Sequence, residues 1–357
     1  MAINNTLDNC RFNNFLDLTN EEVAQEYLFT PLEDIFFSAV LPTVLFICLI
    51  ANFAFIYTVI RVPSMGTVTN TYLSHVAAAD VIFVTLSVTI YCHAYFQTPV
   101  HSVLMTYFVS LFLITFVTIE RYYAICRPLQ HRIVAGKSRT NKIIVASWMM
   151  GVFFGACVAP RYSGFVTFCV QWPDSEEFHN LPETIYHCVE VHPDVYLFSE
   201  ITQTAPLFLA MVANIFMYSS IIKALSQRPT STNNSDDATN AAQQQQSQRV
   251  RNQVARLLII NGTLFFLCQA PFRIVSIHNM MVHHGRSGLF KSEQYGAMLV
   301  IGRCLVLINS CVNPFVYVTT SSFYREAFFK AFRCGSANSN HSCSSLSDKT
   351  QSIYVKQ

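Results

Sequence analysis

Seven long apolar runs dominate the chain, and a helix of roughly 20 such residues is what crosses a hydrocarbon core about 30 Å thick. They fall at Asp34–Ile60, Thr71–Tyr95, His101–Ile125, Lys142–Ala159, Leu197–Ile222, Val254–Ile277 and Tyr295–Thr319. Backbone polar groups in lipid must be satisfied internally, and the runs lack the alternation of barrel strands, so helices are the workable element. The expected fold is therefore an all-α membrane protein, a seven-transmembrane helix bundle. With 52% hydrophobic and only 12% charged residues, against about 25% charged in a soluble domain, the chain has too few ions to coat a water-facing surface. A net charge of +2 gives no electrostatic footprint for nucleic acid.

Basic residues in the short connections set orientation. Arg61, the set Arg127, Arg132, Lys137, Arg139 and Lys142, the set Lys223, Arg228, Arg249, Arg251 and Arg256, and finally Arg325, Lys330 and Arg333 share one side, which is expected to be cytoplasmic. The other side is acidic, with Asp174, Glu176, Glu177, Glu183, Glu190 and Asp194 between spans four and five. Residues 1–33 then form an extracellular segment, 34–319 the bundle, 320–334 an amphipathic helix on the membrane surface, and 335–357 a disordered cytoplasmic tail. Residues 226–248, with the Gln243–Gln246 tract, read as a disordered third inner loop. The first 33 residues lack a basic and then apolar signal pattern, so the first span is expected to direct insertion. Asn4 heads a glycosylation sequon on the outer side.

Polar side chains in lipid are costly and point to function. Asn52, Asp80, Ser110, Asn309 and Asn313 lie in spans one, two, three and seven, and a shared polar core would satisfy them. A buried carboxylate such as Asp80 invites a cation partner, with sodium the candidate ion; the plain alternative is that these groups tie helices together. No other metal or cofactor is expected. His75, His93 and His101 do not converge on a nucleophile, so no catalytic residues are expected.

Asn52, Ala79-Asp80, Glu120-Arg121-Tyr122, Trp148, Phe265 with Cys268 and Pro271, and Asn313-Pro314-x-x-Tyr317 follow one another along the chain. In that order they resemble the rhodopsin-like G-protein-coupled receptors, from Asp34 to Cys334. The resemblance implies a receptor that passes an extracellular signal to a heterotrimeric G protein at the plasma membrane. It implies a switch at the basic end, where Glu120 holds the Arg121 guanidinium until a G protein competes, and where Tyr122, Asn313, Pro314 and Tyr317 take part. Pro271 and Pro314 each remove a backbone hydrogen bond, providing kinks about which helices swing. After span seven, Phe323, Phe328, Phe329 and Phe332 alternate with Arg325, Lys330 and Arg333 as on a membrane-surface helix. Cys334 beyond it resembles a palmitoylation site, and the serine-rich tail resembles a substrate for receptor kinases and arrestin.

Arg303 in span seven and Arg273 beyond Pro271 have no obvious carboxylate at their depth, so an anionic or carbonyl-rich ligand is expected there. Arg303-Cys304, Pro271-Phe272-Arg273 and Arg251-Asn252-Gln253-Val254 resemble receptors for thyrotropin-releasing hormone. That likeness implies a short amidated peptide anchored on Arg303, with Arg273, Gln269 and Phe272 nearby. The alternative is that both arginines bond backbone carbonyls or the acidic loop. Val103 occupies the place of the aspartate that amine receptors use, and span seven carries no lysine for retinal.

The chain departs from the family in several places. Asp80 to Arg121 is short by about ten positions, which removes the usual cysteine atop helix three and leaves Cys188 to find another partner among Cys92, Cys169 and Cys10. Gln269 replaces a tryptophan, and Arg251 stands where some receptors keep an acid facing Arg121. Two other readings stay open: a receptor-like protein that is silent or retained because of the short third helix, and a transporter using Asp80 as an ion path, although the matching broken halves of transporters are not seen.

Overall fold

The computed structural model describes residues 15–25, 27–95, 105–134, 136–162, 165–179, 181–188, 192–227 and 238–333. Seven helices in it are long and apolar enough to span a bilayer. They are α1 (Pro31–Arg61), α2 (Val68–Tyr95), α3 (Met105–Cys126), α4 (Lys137–Val158), α5 (Pro193–Ser226), α6 (Ala238–His283) and α7 (Ser292–Thr320). The amphipathic α8 (Ser322–Arg333) follows.

Local chemistry explains the first boundary. Thr30 accepts a hydrogen bond from the Glu33 amide at 3.3 Å, the Thr30 amide donates to Glu33 at 3.0 Å, and Pro31 fills the first helical position, a reciprocal cap just ahead of the apolar run. Despite its short approach, α3 has 22 residues, about 33 Å at 1.5 Å per residue, and so still crosses the core.

The main core is continuous through the bundle, with Phe55, Tyr72, Phe108, Leu111, Leu257 and Tyr317 among its buried members. Apolar side chains such as Phe46, Leu209, Val212, Phe216 and Leu267 project outward, as expected for surfaces solvated by lipid tails. At its far end α8 docks through Tyr324, whose hydroxyl donates to Asn70 at 2.6 Å, while Phe329 and Phe332 stay exposed.

One expectation needs correction. Residues 238–248, assigned to a disordered loop, form the first turns of α6, which runs 46 residues; their alanines and glutamines are good helix formers. Opposite the basic end a small three-stranded sheet adds to the helical bundle: β1 (Phe15–Asp17), β2 (Phe165–Gln171) and β3 (Thr184–Cys188), in that order. β1 runs parallel to β2, and β3 antiparallel to it. Leu18, Ala24, Val170, Phe178 and Ile185 form a small separate core around it. Asp17 accepts from the Thr19 amide and hydroxyl, which holds its carboxyl below the usual range.

The sheet also bears on the cysteines. Cys92 is a free thiol, and Cys169 is disulfide-bonded. The ladder sets Cys188 opposite Phe165, four residues from Cys169 and so roughly 13 Å away along the strand, beyond disulfide reach. Cys92 and Cys169 are thus excluded as partners of Cys188. Cys10, Asn4, Val103 and Cys334 lie outside the described residues.

Candidate functional site

Three polar constellations lie along the bundle. The middle one centres on Asp80 of α2, 2% exposed. Asn313 of α7 donates to Asp80 Oδ2 at 2.6 Å, and the Ser110 hydroxyl of α3 faces Oδ1 at 3.4 Å. Asn52 of α1 does not reach Asp80; its amide donates to the backbone carbonyls of Cys48 and Ser310, each at 3.0 Å, joining α1 to α7. Asn309 is buried one residue before Ser310. Asn52 therefore ties α1 to α7, while Asp80, Ser110 and Asn313 join α2, α3 and α7. The Asn313 and Ser110 side chains that hydrogen-bond Asp80 are neutral, so neither supplies a counter-ion for an ionised carboxylate there.

At the basic end the expected lock is not the one formed. The Glu120 carboxylate accepts from His131 Nε2 at 2.7 Å and lies 3.7 Å from Arg139 Nη1, rather than gripping Arg121. His131 belongs to a short helix, Pro128–Val134, that folds back beneath α3. Adjacent residues on a helix point about 100° apart, so with Glu120 turned to His131 and Arg139 its neighbour Arg121 faces elsewhere; Arg121 Nε has no hydrogen-bond partner among the described residues. Tyr122 packs with Phe216 of α5, ring centroids 6.2 Å apart. Tyr317 is 1% exposed, with its ring 4.9 Å from Phe55 and 5.7 Å from Tyr324 and its hydroxyl without a hydrogen-bond partner among the described residues. Pro271 and Pro314 lie inside α6 and α7.

Toward the sheet end, residues of α2 to α7 line a pocket between the helices, a place in a bundle where ligand sites form. Arg273, Arg303, Gln269 and Phe272 all line it, so the residues singled out from sequence converge. Arg273 is 6% exposed, with its guanidinium carbon 5.2 Å from the Tyr107 ring centroid. Arg303 lies 5.3 Å from that of Tyr91. Tyr107, Tyr91 and Gln203 also contribute; their positions could be read as apolar or polar helix faces, but nothing in their spacing marks them as sharing a pocket. The acidic residue closest in sequence to Gln203, Glu200, is 5% exposed and is taken by an ion pair with Arg161, whose guanidinium also lies over Tyr196 at 4.4 Å.

A sequence model of the 7 transmembrane receptor (rhodopsin family) matches residues 51–317 of this architecture. The chain belongs to that family. Its relatives include neuromedin-U receptor 1 of Homo sapiens, 26% identical over 94% of this chain and 83% of that protein. The KiSS-1 receptor of Mus musculus is 26% identical over 82% of this chain and 73% of its own length. The thyrotropin-releasing hormone receptor of Gallus gallus is 25% identical over 82% and 78%. Membership in the rhodopsin family makes the chain a multi-pass plasma-membrane receptor and not an enzyme, and sets aside the transporter alternative.

Proposed function

We propose that this rhodopsin-family receptor takes an extracellular peptide into the arginine-lined cavity and activates a heterotrimeric G protein at the basic end. The observation that carries the reading is the cavity itself, which places two cationic side chains from α6 and α7 in one apolar enclosure. Relatives named as receptors for neuromedin U, kisspeptin and thyrotropin-releasing hormone support a peptide as the ligand class. The basic loops support placing the sheet end outside and the basic end in the cytoplasm. Glu120, Arg121, Tyr122, Asn313, Pro314 and Tyr317 then form the cytoplasmic switch. Its restraint acts through Glu120 on His131 and Arg139, and Arg121 is left available to a G protein. Sodium at Asp80 would favour the resting arrangement, with Ser110 and Asn309 as its other oxygens. Glycosylation at Asn4, palmitoylation at Cys334, and kinase and arrestin recognition of the tail complete the proposal.

Expression of the tagged chain in cultured cells, with surface counting and calcium and cyclic-AMP readouts against a panel of short peptides, tests it. A saturable response abolished by Arg121→Ala at unchanged surface number is the expected result. Surface expression with silence to every peptide would overturn the ligand class, and retention inside the cell would favour a non-signalling form caused by the short connection before α3.

A further inference from the structure

We infer that the cavity is built for a ligand bearing a free anionic group, a carboxylate on an apolar or aromatic body, and that Arg273, Tyr107 and Gln269 form its anion subsite. The inference rests on the receptor reading above and differs from the amidated ligand that the family resemblance suggests.

The charge balance of the cavity leads to it. Arg273 and Arg303 bring two positive charges, and no acidic side chain is among the described lining residues. The two carboxylates on neighbouring helix turns are engaged elsewhere, Asp80 with Asn313 and Ser110 and Glu200 with Arg161. A buried cation without a counter-ion is expensive, and among the described residues Nε and Nη1 of Arg273 have no hydrogen-bond partner.

Its surroundings explain how that cation is held ready. The Tyr107 ring supports the guanidinium at 5.2 Å, an attraction that uses the face of the ring and leaves in-plane N–H groups directed elsewhere. The Tyr107 hydroxyl, which interacts with the Arg273 guanidinium and meets no other partner among the described residues, is a further donor. Gln269 lies four residues before Arg273, on the same face of α6, and is 3% exposed. A carboxylate accepts two parallel N–H bonds from one guanidinium, and this trio offers it donors from α3 and α6 at once. A primary amide would present two donors of its own to groups that are mostly donors. Phe83, Phe108, Val306 and Leu307 supply apolar walls for the rest of the ligand.

Purified full-length receptor in detergent allows a direct test with matched fragments: 3-phenylpropanoate and indole-3-propanoate against the corresponding primary amides, at millimolar concentration and low salt. The acids should raise the melting temperature saturably by about 2 °C or more, and the amides should not. Arg273→Gln should abolish the acid-dependent rise while raising the melting temperature without ligand, because it removes an uncompensated buried charge. The inference is overturned if amides stabilise as well as acids, if no acid stabilises, if the acid effect survives in Arg273→Gln, or if that variant alone is less stable, which would make Arg273 a structural tie. Nucleotide exchange on a purified G protein, run on the same preparation, separates the two readings. Exchange without acid binding rejects the ligand class alone, and acid binding without exchange rejects the receptor reading.

Discussion

Gly262 and Tyr218 show how a single missing side chain sets an inter-helix contact. A β-carbon at Gly262 would fall 1.8 Å from the Tyr218 hydroxyl oxygen and 2.8 Å from Cζ. Only glycine therefore leaves α6 open enough for the ring to lie between α6 and α3, where its hydroxyl is 3.2 Å from that of Thr118. Gly262→Ala should displace the ring, an overpacking change that costs about 1 to 3 kcal/mol. The expected outcome is a lower melting temperature together with raised ligand-free nucleotide exchange, since a tie between α3 and α5 is lost. Tyr218→Phe removes the hydroxyl without crowding and should cost about 1 kcal/mol. Exchange unchanged in both variants would show that this tie does not restrain the receptor. Glu120 is instructive at the same scale: its charge and its place at the end of α3 are legible in the sequence, but its partner is not, because His131 reaches it through a loop helix eleven residues on.

Among the helices, the contact of α6 with α7 controls the cavity. A β-carbon at Gly302 would stand 3.1 Å from both N and Cα of Phe272, and backbone atoms cannot swing aside as a side chain can. Small residues at such points let helices approach closely in membranes. The flanking residues are Arg303 on α7 and Arg273 on α6, so the spacing set here carries over to both cations. Gly302→Ala should force the helices apart by a few tenths of an ångström, at about 1 to 3 kcal/mol, and should weaken ligand potency more than it lowers surface expression. A dose–response curve normalised to surface copies measures this, and potency equal to wild type would show that the cavity tolerates the shift. All seven spanning helices were legible because lipid permits few alternatives. The strands were not: β1 and β3 have three and five residues, too few for a periodic signal, and their apolar faces meet only by long-range pairing.

The described residues hold one large core running through the bundle, a patch of three buried residues on α3, α5 and α6, and one small core confined to the sheet end. Because they share no buried member, opening of the small core need not open the large one. Leu18, 1% exposed, follows β1 and is the anchor of the N-terminal segment on the sheet. Leu18→Ala should cost about 2 to 5 kcal/mol of local stability, enough to release β1 from β2. Hydrogen exchange should then accelerate in 165–171 while the melting temperature of the bundle stays within error of wild type. A matching fall in bundle stability would show that the sheet is a working part of the bundle rather than an addition to it.

The sequence by itself determined the seven spans, the expected sidedness and the family, because lipid penalises every unsatisfied polar group and so forces long apolar helices with charges at their ends. It also determined which polar residues are anomalous, among them Asp80, Arg273 and Arg303. Only the tertiary structure decided which of them meet. Asp80 and Asn313 are 233 positions apart and 2.6 Å distant, whereas Glu120 and Arg121 are neighbours in sequence and do not pair. Helical periodicity fixes the face on which a side chain lies, but the rotation and crossing of each helix against the next fix what that face encounters, and those follow from packing the whole bundle at once.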